Sequence, residues 1–191
     1  YRKDRVRPYG EPQYAYHDTT NHYHYRLVAC GFEDIQSNER FVLNINHLRS
    51  KRGTGKESNA KRMTNVDSLL VMLHNIQENQ IFHDTDILLV GDYNCYTQEQ
   101  PIQTLIQNGY EDLVMQYDST GYSYVYHSEA GYLDRVFASP TMAKQVKMVR
   151  PYHLNTDYFY SRGFKRGLDK TIFRYADHDP ILISIQLVPN H

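Results

Sequence analysis

The run LLVGDYNCYTQEQPI, from Leu88 to Ile102, carries the reading of this chain's fold. Ile87 to Val90 are four apolar residues that lead straight into Gly91 and then Asp92, Tyr93 and Asn94. A short apolar run bounded by turn formers predicts a strand buried on both faces. Such a strand ends by presenting a carboxylate and a carboxamide two residues apart, on one face of the chain. Asp and Asn start turns in many proteins, so the pair alone reads as turn chemistry. The other reading is that both side chains point at a metal or a phosphate.

Working outward, PIQTLIQNGY predicts a short helix, with Pro101 in its first turn and Asn108-Gly109 at its C-terminal end. Upstream, Met63, Val66, Leu69, Leu70, Leu73 and Ile76 recur at helical spacing in the stretch Glu57 to Gln80, with Ser58 or Asn59 placed to cap it. Arg26 to Ile35 and Arg40 to Leu48 are β-rich runs around the polar turn QSNE, which predicts an antiparallel hairpin. In the second run Phe41, Leu43 and Ile45 alternate with Val42, Asn44 and Asn46, so the first set is the expected apolar face. The first twenty-five residues read as a short strand followed by loop. Later strands are expected at Tyr122–Tyr126, Leu133–Ser139, Lys144–Arg150 and Ile181–Val188. Two helices among seven or eight partly hairpin-connected strands give an α+β fold in a single domain, residues 1–191.

The chain has 191 residues, 40% hydrophobic and 23% charged, a globular balance rather than a disordered one, and no run approaches the length of a membrane span. The net charge of −1 provides no global basic field, so any phosphate-binding surface must be local. Two local runs qualify: Arg49 to Arg62 holds six Lys/Arg against one Glu, and Arg162 to Arg174 holds five against one Asp. Either run alone is ordinarily a solvated loop. Tyrosine is abundant, at 18 residues against no tryptophan; strands account for most of that, and a stacking surface is the other reading. Cys30 and Cys95 are expected as free, buried thiols rather than a disulfide framework.

Polar chemistry collects at strand ends. His47 closes one strand, Asp92 and Asn94 close another, Asp134 opens a third, and Asp177-His178-Asp179 precede the last. Each is ordinary as a cap or turn residue. Together they are the groups that a metal-assisted phosphoester hydrolase needs, because such an enzyme must activate water and neutralise charge on phosphoryl oxygens. Hard cations take carboxylate oxygens and keep much of their water, so few protein ligands suffice. Tetrahedral zinc spacing and a phosphate-binding P-loop are absent from the sequence.

In series, NINHLRSKRG, GDYN, GYLDRVFAS and ADHDPI resemble the motifs of the endonuclease/exonuclease/phosphatase superfamily, in that family's order. With HLNTD at His153 to Asp157, the chain is most similar to its secreted bacterial nucleases. The resemblance implies a DNase I-like four-layer α/β/β/α sandwich and a divalent-metal-dependent phosphodiester hydrolase, an extracellular endonuclease of low sequence specificity. It assigns catalytic roles to His47, Asp92, Asn94, Asp134 and His178, and metal ligation to Asp177 and Asp92. Arg26, Asn94, Arg49 and Lys51 would hold substrate phosphates, and Asp179 would support its turn. The implied cofactor is Mg²⁺, with Mn²⁺ or Ca²⁺ as alternatives; the implied partner is DNA or RNA, and the implied location secreted or periplasmic.

The same resemblance places Tyr1 after the family's first strands, so the chain corresponds to the C-terminal two-thirds of the domain, lacking N-terminal strands, helices and one metal-binding Glu. From this follow weak metal binding and an apolar sheet region open to association, with the missing part or another chain. Two further readings stand beside the nuclease. One is an inositol-phosphate or sphingomyelin phosphoesterase of the same superfamily. The other is an inactive fragment, or a non-catalytic module binding nucleic acid or glycan.

Overall fold

The computed structural model describes residues 2–15, 27–52, 55–158 and 173–188. Its centre is β4 (Ile87–Asp92), flanked by β3 (Arg40–His47) in parallel and β8 (Asp134–Ala138) antiparallel. Beyond β3 lie β2 (Leu27–Asp34) and β1 (Val6–Ala15), and beyond β8 lies β5 (Glu111–Asp112). The six-stranded sheet therefore runs β1-β2-β3-β4-β8-β5. The apolar run of β4 is covered on both faces, as its sequence requires. Ile87 and Leu89 join one buried cluster, while Leu88 and Val90 face the other.

The first cluster is closed by α1 (Gly55–Glu78) and α2 (Gln100–Gln107), through Val66, Leu69, Leu73 and Ile76 of α1 and Ile102 and Leu105 of α2. The helix α1 starts at Gly55, earlier than the expected cap at Ser58 or Asn59. Ser58 instead lies buried in the first turn, its hydroxyl donating to Gly55 O at 3.2 Å. Against the second cluster pack α3 (Leu113–Tyr117), α4 (Pro140–Gln145) and the hairpin of β9 (Val146–Pro151) with β10 (Ile181–Ile185). The α/β/β succession is thus present. On the outer side of that hairpin the sandwich's fourth, helical layer is not seen among the described residues; α3 and α4 have five and six residues. A two-stranded ribbon, β6 (Tyr124–Tyr126) with β7 (Glu129–Gly131), completes the strands. The α+β class is as expected, with no described helix long and apolar enough to cross a membrane.

Three expectations need correction. The N-terminal strand is ten residues rather than short, because pairing with β2 carries it past Pro8 and Gly10, with one irregularity between Tyr9 and Gln13. As an edge strand it tolerates both residues. The strand expected from Lys144 begins at Val146, since Lys144 and Gln145 belong to α4. Last, the apolar face Phe41–Leu43–Ile45 is buried only in part, against the second cluster, where Phe41 is buried and Leu43 half-buried. Val42, Asn44 and Asn46 are buried, and Ile45 is 50% exposed.

The asparagines can sit inside because they have partners there. Asn44 Nδ2 donates to Val28 O at 3.1 Å, and Asn46 Nδ2 donates to Asn44 Oδ1 at 2.6 Å and to the Tyr93 hydroxyl at 2.8 Å. Buried amides so bonded escape most of the desolvation penalty. Cys30 and Cys95 are both free, as expected; Cys95 is buried, which pushes its thiol up to about 12, whereas Cys30 is only half-buried.

Candidate active site

Register builds the site. His47 pairs with Asp92 across β3 and β4, and Asp92 pairs with Asp134 across β4 and β8, so three polar side chains stand in one row at the end of three adjacent strands. The row fits tightly. A Cβ on Gly91 would fall 1.9 Å from Asn46 O, and Gly91 has φ +136°, so only glycine serves before Asp92.

Asn94 continues the turn with φ 51°, a conformation Asn tolerates better than most residues. Its backbone N–H donates to Asp92 Oδ1 at 2.8 Å. Its amide nitrogen donates to Asp92 Oδ2 at 2.9 Å and to Leu48 O at 3.1 Å. Asn94 thus fixes the plane of the Asp92 carboxylate through its backbone N–H and its amide, and the amide is itself anchored on Leu48 O. Behind the row, buried Arg135 pairs with Asp112 at 2.9 Å and donates to Thr97 Oγ1 at 2.9 Å, fastening the loop that follows Asn94.

The turn before β10 brings the imidazole. His178 Nδ1 lies 2.8 Å from Asp134 Oδ2, and Ser123 Oγ donates to that same oxygen at 2.6 Å. Asn155 holds the turn. Its amide nitrogen donates to His178 O at 2.6 Å, and its Oδ1 accepts from Tyr175 N at 2.8 Å and Ala176 N at 3.3 Å. Asp179, 2% exposed, accepts from Leu154 N, Asn155 N and Thr156 N at 3.0, 2.7 and 3.2 Å, from the Thr156 hydroxyl, and meets His153 Nδ1 at 2.8 Å. Its role is to hold the turn, as the sequence implies.

Asp92, Asp134 and His178 each offer a ligand atom within 4.8 Å of the others. Burial raises the pKa of Asp92, and the neighbouring Asp134 charge raises it further, with the Asn94 N–H, His178 and His47 partly offsetting both. For His178, burial favours the neutral ring. The Asp134 hydrogen bond and the charges of Asp134, Asp92 and Asp177 outweigh it, so its pKa is raised. Two crowded carboxylates beside one imidazole are a donor set that suits a hard divalent cation.

The predicted residues divide accordingly. Asp92, Asn94, Asp134 and His178 come together. His47 stands at the rim, its side chain 69% exposed and its Nε2 3.6 Å from Asp92 Oδ2. Asp177 is exposed on the turn and outside the ligand cluster, where Asp134 stands instead; only its charge reaches His178. The ammonium of Lys51 pairs with Glu99 and lies over the Tyr96 ring. Arg49 is half-buried, its carbonyl accepting from Arg62. Arg26 and most of the Arg162–Arg174 run lie outside the described residues.

Sequence reasoning misses Ser123, which sits between tyrosines in a strand-like run and carries no signal of its own. It also misses how Asn155 acts, although Asn155 lies within the HLNTD motif.

No protein-family model and no curated protein matches the sequence. Solved structures do match. An endonuclease/exonuclease/phosphatase family protein from Bacteroides thetaiotaomicron superposes with TM-score 0.65 at 15% identity, covering 95% of this chain and 64% of that one. The chain has the DNase I-like fold. The mannosyl-6-phosphatase Bt3783 of Bacteroides thetaiotaomicron shares this DNase I-like fold with TM-score 0.67 at 16% identity, over 98% of this chain and 69% of its own. A 3′ phosphatase from Neisseria, bound to a product DNA hairpin, gives 0.62 at 13% identity over 95% and 72%. The chain therefore spans 64% of the first of these DNase I-like structures and about seven-tenths of the other two.

Proposed function

We propose that this chain is a phosphoester hydrolase that uses a divalent cation, and that its substrate is a nucleic-acid phosphodiester. The Asp92–Asp134–His178 cluster, with ligand atoms within 4.8 Å of one another, carries the reading. Asp134 holds His178 by Nδ1, which leaves Nε2 for the phosphoryl group or its leaving oxygen. The raised pKa keeps more of the ring protonated near neutrality, so it can donate to that oxygen as the P–O bond breaks. Asp92, more basic than an exposed aspartate and held in plane by Asn94, takes the proton of the attacking water. A cation held by Asp92 and Asp134, Mg²⁺ by preference, would neutralise charge on the phosphoryl oxygens.

The DNase I-like fold it shares with a Neisseria 3′ phosphatase bound to a DNA hairpin and with a 3′-5′ exonuclease supports nucleic acid as the substrate. The fold it shares with a mannosyl-6-phosphatase favours a second reading, a phosphatase of small sugar phosphates. The test is cleavage of plasmid DNA and RNA with Mg²⁺, with and without EDTA, by the protein and by His178→Ala, beside parallel assays on hexose 6-phosphate, inositol phosphate and sphingomyelin. Loss of nucleic-acid cleavage in both EDTA and His178→Ala is expected. Equal activity of the two proteins would reject the assignment.

A further inference from the structure

The β6–β7 hairpin carries a row of rings that the chemistry above does not use. The Tyr124 ring lies 4.6 Å, centroid to centroid, from the His178 ring, and a backbone bridge joins the same two residues. The Tyr126 ring lies 6.3 Å beyond Tyr124 with planes only 10° apart, and the His127 ring follows at 4.2 Å from Tyr126, tilted by 58°. Tyr124 and Tyr126 share a face because they are two apart in a strand. Below them Tyr96 packs against the ribbon, where a Cβ on Gly131 would meet its ring at 2.8 Å. The row thus starts at the imidazole of the site and ends in solvent, with Tyr126 58% exposed.

An exposed tyrosine alone signifies nothing. Here the backbone adds an observation. His127 and Ser128 are the two central residues of the hairpin turn, with φ 50° and 68°, a conformation for which Asn and Gly are the usual occupants. The hairpin accepts this strain while presenting the His127 ring at the tip.

We infer that Tyr124, Tyr126 and His127 form a stacking platform for unpaired nucleobases next to the phosphate at His178. The inference rests on the phosphoesterase reading and adds its substrate class, single-stranded nucleic acid. A flat π-face is common to every base, so the near-parallel Tyr124 and Tyr126 rings, with His127 at the tip, bind a strand without reading its sequence. Bases already stacked and paired in a duplex cannot use it. A small sugar phosphate seated at His178 would reach Tyr124 and leave Tyr126 idle.

The test uses two labelled strands of eight nucleotides, oligothymidylate and an abasic strand of equal length. Binding is followed in EDTA and cleavage in Mg²⁺, for the protein, Tyr126→Ala and Tyr126→Phe. The expected result is about tenfold tighter binding of the base-bearing strand, lost in Tyr126→Ala and kept in Tyr126→Phe. KM for oligothymidylate rises correspondingly in Tyr126→Ala, while kcat/KM for the abasic strand does not change. Tyr126 is exposed, so its replacement leaves the core untouched.

If wild type binds and cuts both strands equally, the platform is overturned and the phosphoesterase reading stands. Hydrolysis of hexose 6-phosphate alone, with no preference for the base-bearing strand, would overturn it in favour of a sugar. Failure to cleave any phosphoester would end the parent reading, and the binding comparison in EDTA would still decide the platform.

Discussion

Asp92 and Asp134 are register partners across β4 and β8, so two carboxylates of like charge are held side by side at the end of the central strands. Burial and the Asp134 charge make Asp92 harder to ionise than an exposed aspartate. That arrangement stores a repulsion which a bound cation relieves. The rest of the site follows from the same pair, because Asp92 takes Asn94 and Asp134 takes Ser123 and His178.

A cation that binds the folded chain at this pair raises its melting temperature by mass action. Mg²⁺ titrated to millimolar concentration is expected to stabilise the protein, with about 2.7 kcal/mol gained at a concentration a hundred times Kd. Asp92→Asn should abolish that shift and lower hydrolysis at least about a hundredfold. Melting curves with and without Mg²⁺ check it; an undiminished shift in Asp92→Asn would move the cation elsewhere.

Asn155 is a positioning residue. It touches no reacting atom, yet three of its hydrogen bonds go to the segment Tyr175–His178. Asn155→Ala strands two backbone N–H groups and one carbonyl, so a loss of about 2–4 kcal/mol is expected from the cost of unsatisfied polar groups. Activity should fall even at temperatures where the variant stays folded. Asn155→Asp restores the acceptor for Tyr175 and Ala176 but not the donor to His178 O, and should recover stability more than kcat.

Asp179 ties the same turn from below. Its burial alone would raise its pKa, but the Thr156 and His153 hydrogen bonds and the backbone N–H groups outweigh that and lower it. A carboxylate depressed in the folded state contributes stability that is present above its unfolded value, about 4, and is lost as pH falls through the lower folded value. Asp179→Asn should therefore destabilise at pH 7, by about 3 kcal/mol from misplaced donors. The gap to wild type should narrow below pH 4. Urea titrations at pH 7 and pH 3 test it; a gap independent of pH would remove the charge from the account.

Much of this fold is legible in the sequence. The buried strand Ile87–Asp92, the amphipathic α1 and the hairpin Leu27–His47 all announce themselves by periodicity. So do the polar strand ends, because an apolar run that stops at a carboxylate marks where the chain leaves the core. Two kinds of fact are not legible. That β3 buries Asn44 and Asn46 while leaving Ile45 half-exposed depends on partners elsewhere: the Tyr93 hydroxyl accepts from Asn46, and Asn46 in turn donates to Asn44. Which carboxylate joins Asp92 depends on register: Asp134 is 42 positions away and opposite, whereas Asp177, beside His178 in sequence, faces outward.

The β3 faces give a direct mutational contrast. Ile45→Thr, at a half-exposed position, should change stability by no more than about 0.5 kcal/mol. Val42→Ala, at 0% exposure inside the first cluster, should cost about 2 kcal/mol or more through a cavity. Equal effects in chemical denaturation would favour the alternation that the sequence alone suggests.

The far end of the sheet holds a like-charge problem of the same kind. Asp84, Asp86 and Glu39 bring carboxylate oxygens within 4.8 Å of one another, and burial, then the charges of Asp86 and Glu39, push Asp84 up to about 6. A carboxyl whose pKa is higher folded than unfolded weakens the fold progressively as pH rises from about 4 to 6, because the unfolded chain ionises first. Asp84→Asn keeps an oxygen for the Asp86 N–H, which the carboxylate now accepts at 2.6 Å, and removes the charge. The variant should be more stable than wild type at pH 7, by about 1 kcal/mol after allowing for solvent screening, and indistinguishable from it at pH 4. Thermal melts of both proteins from pH 4 to pH 8 decide it: a wild-type advantage at pH 7 would mean that the acceptor at Asp84 matters more than the crowding.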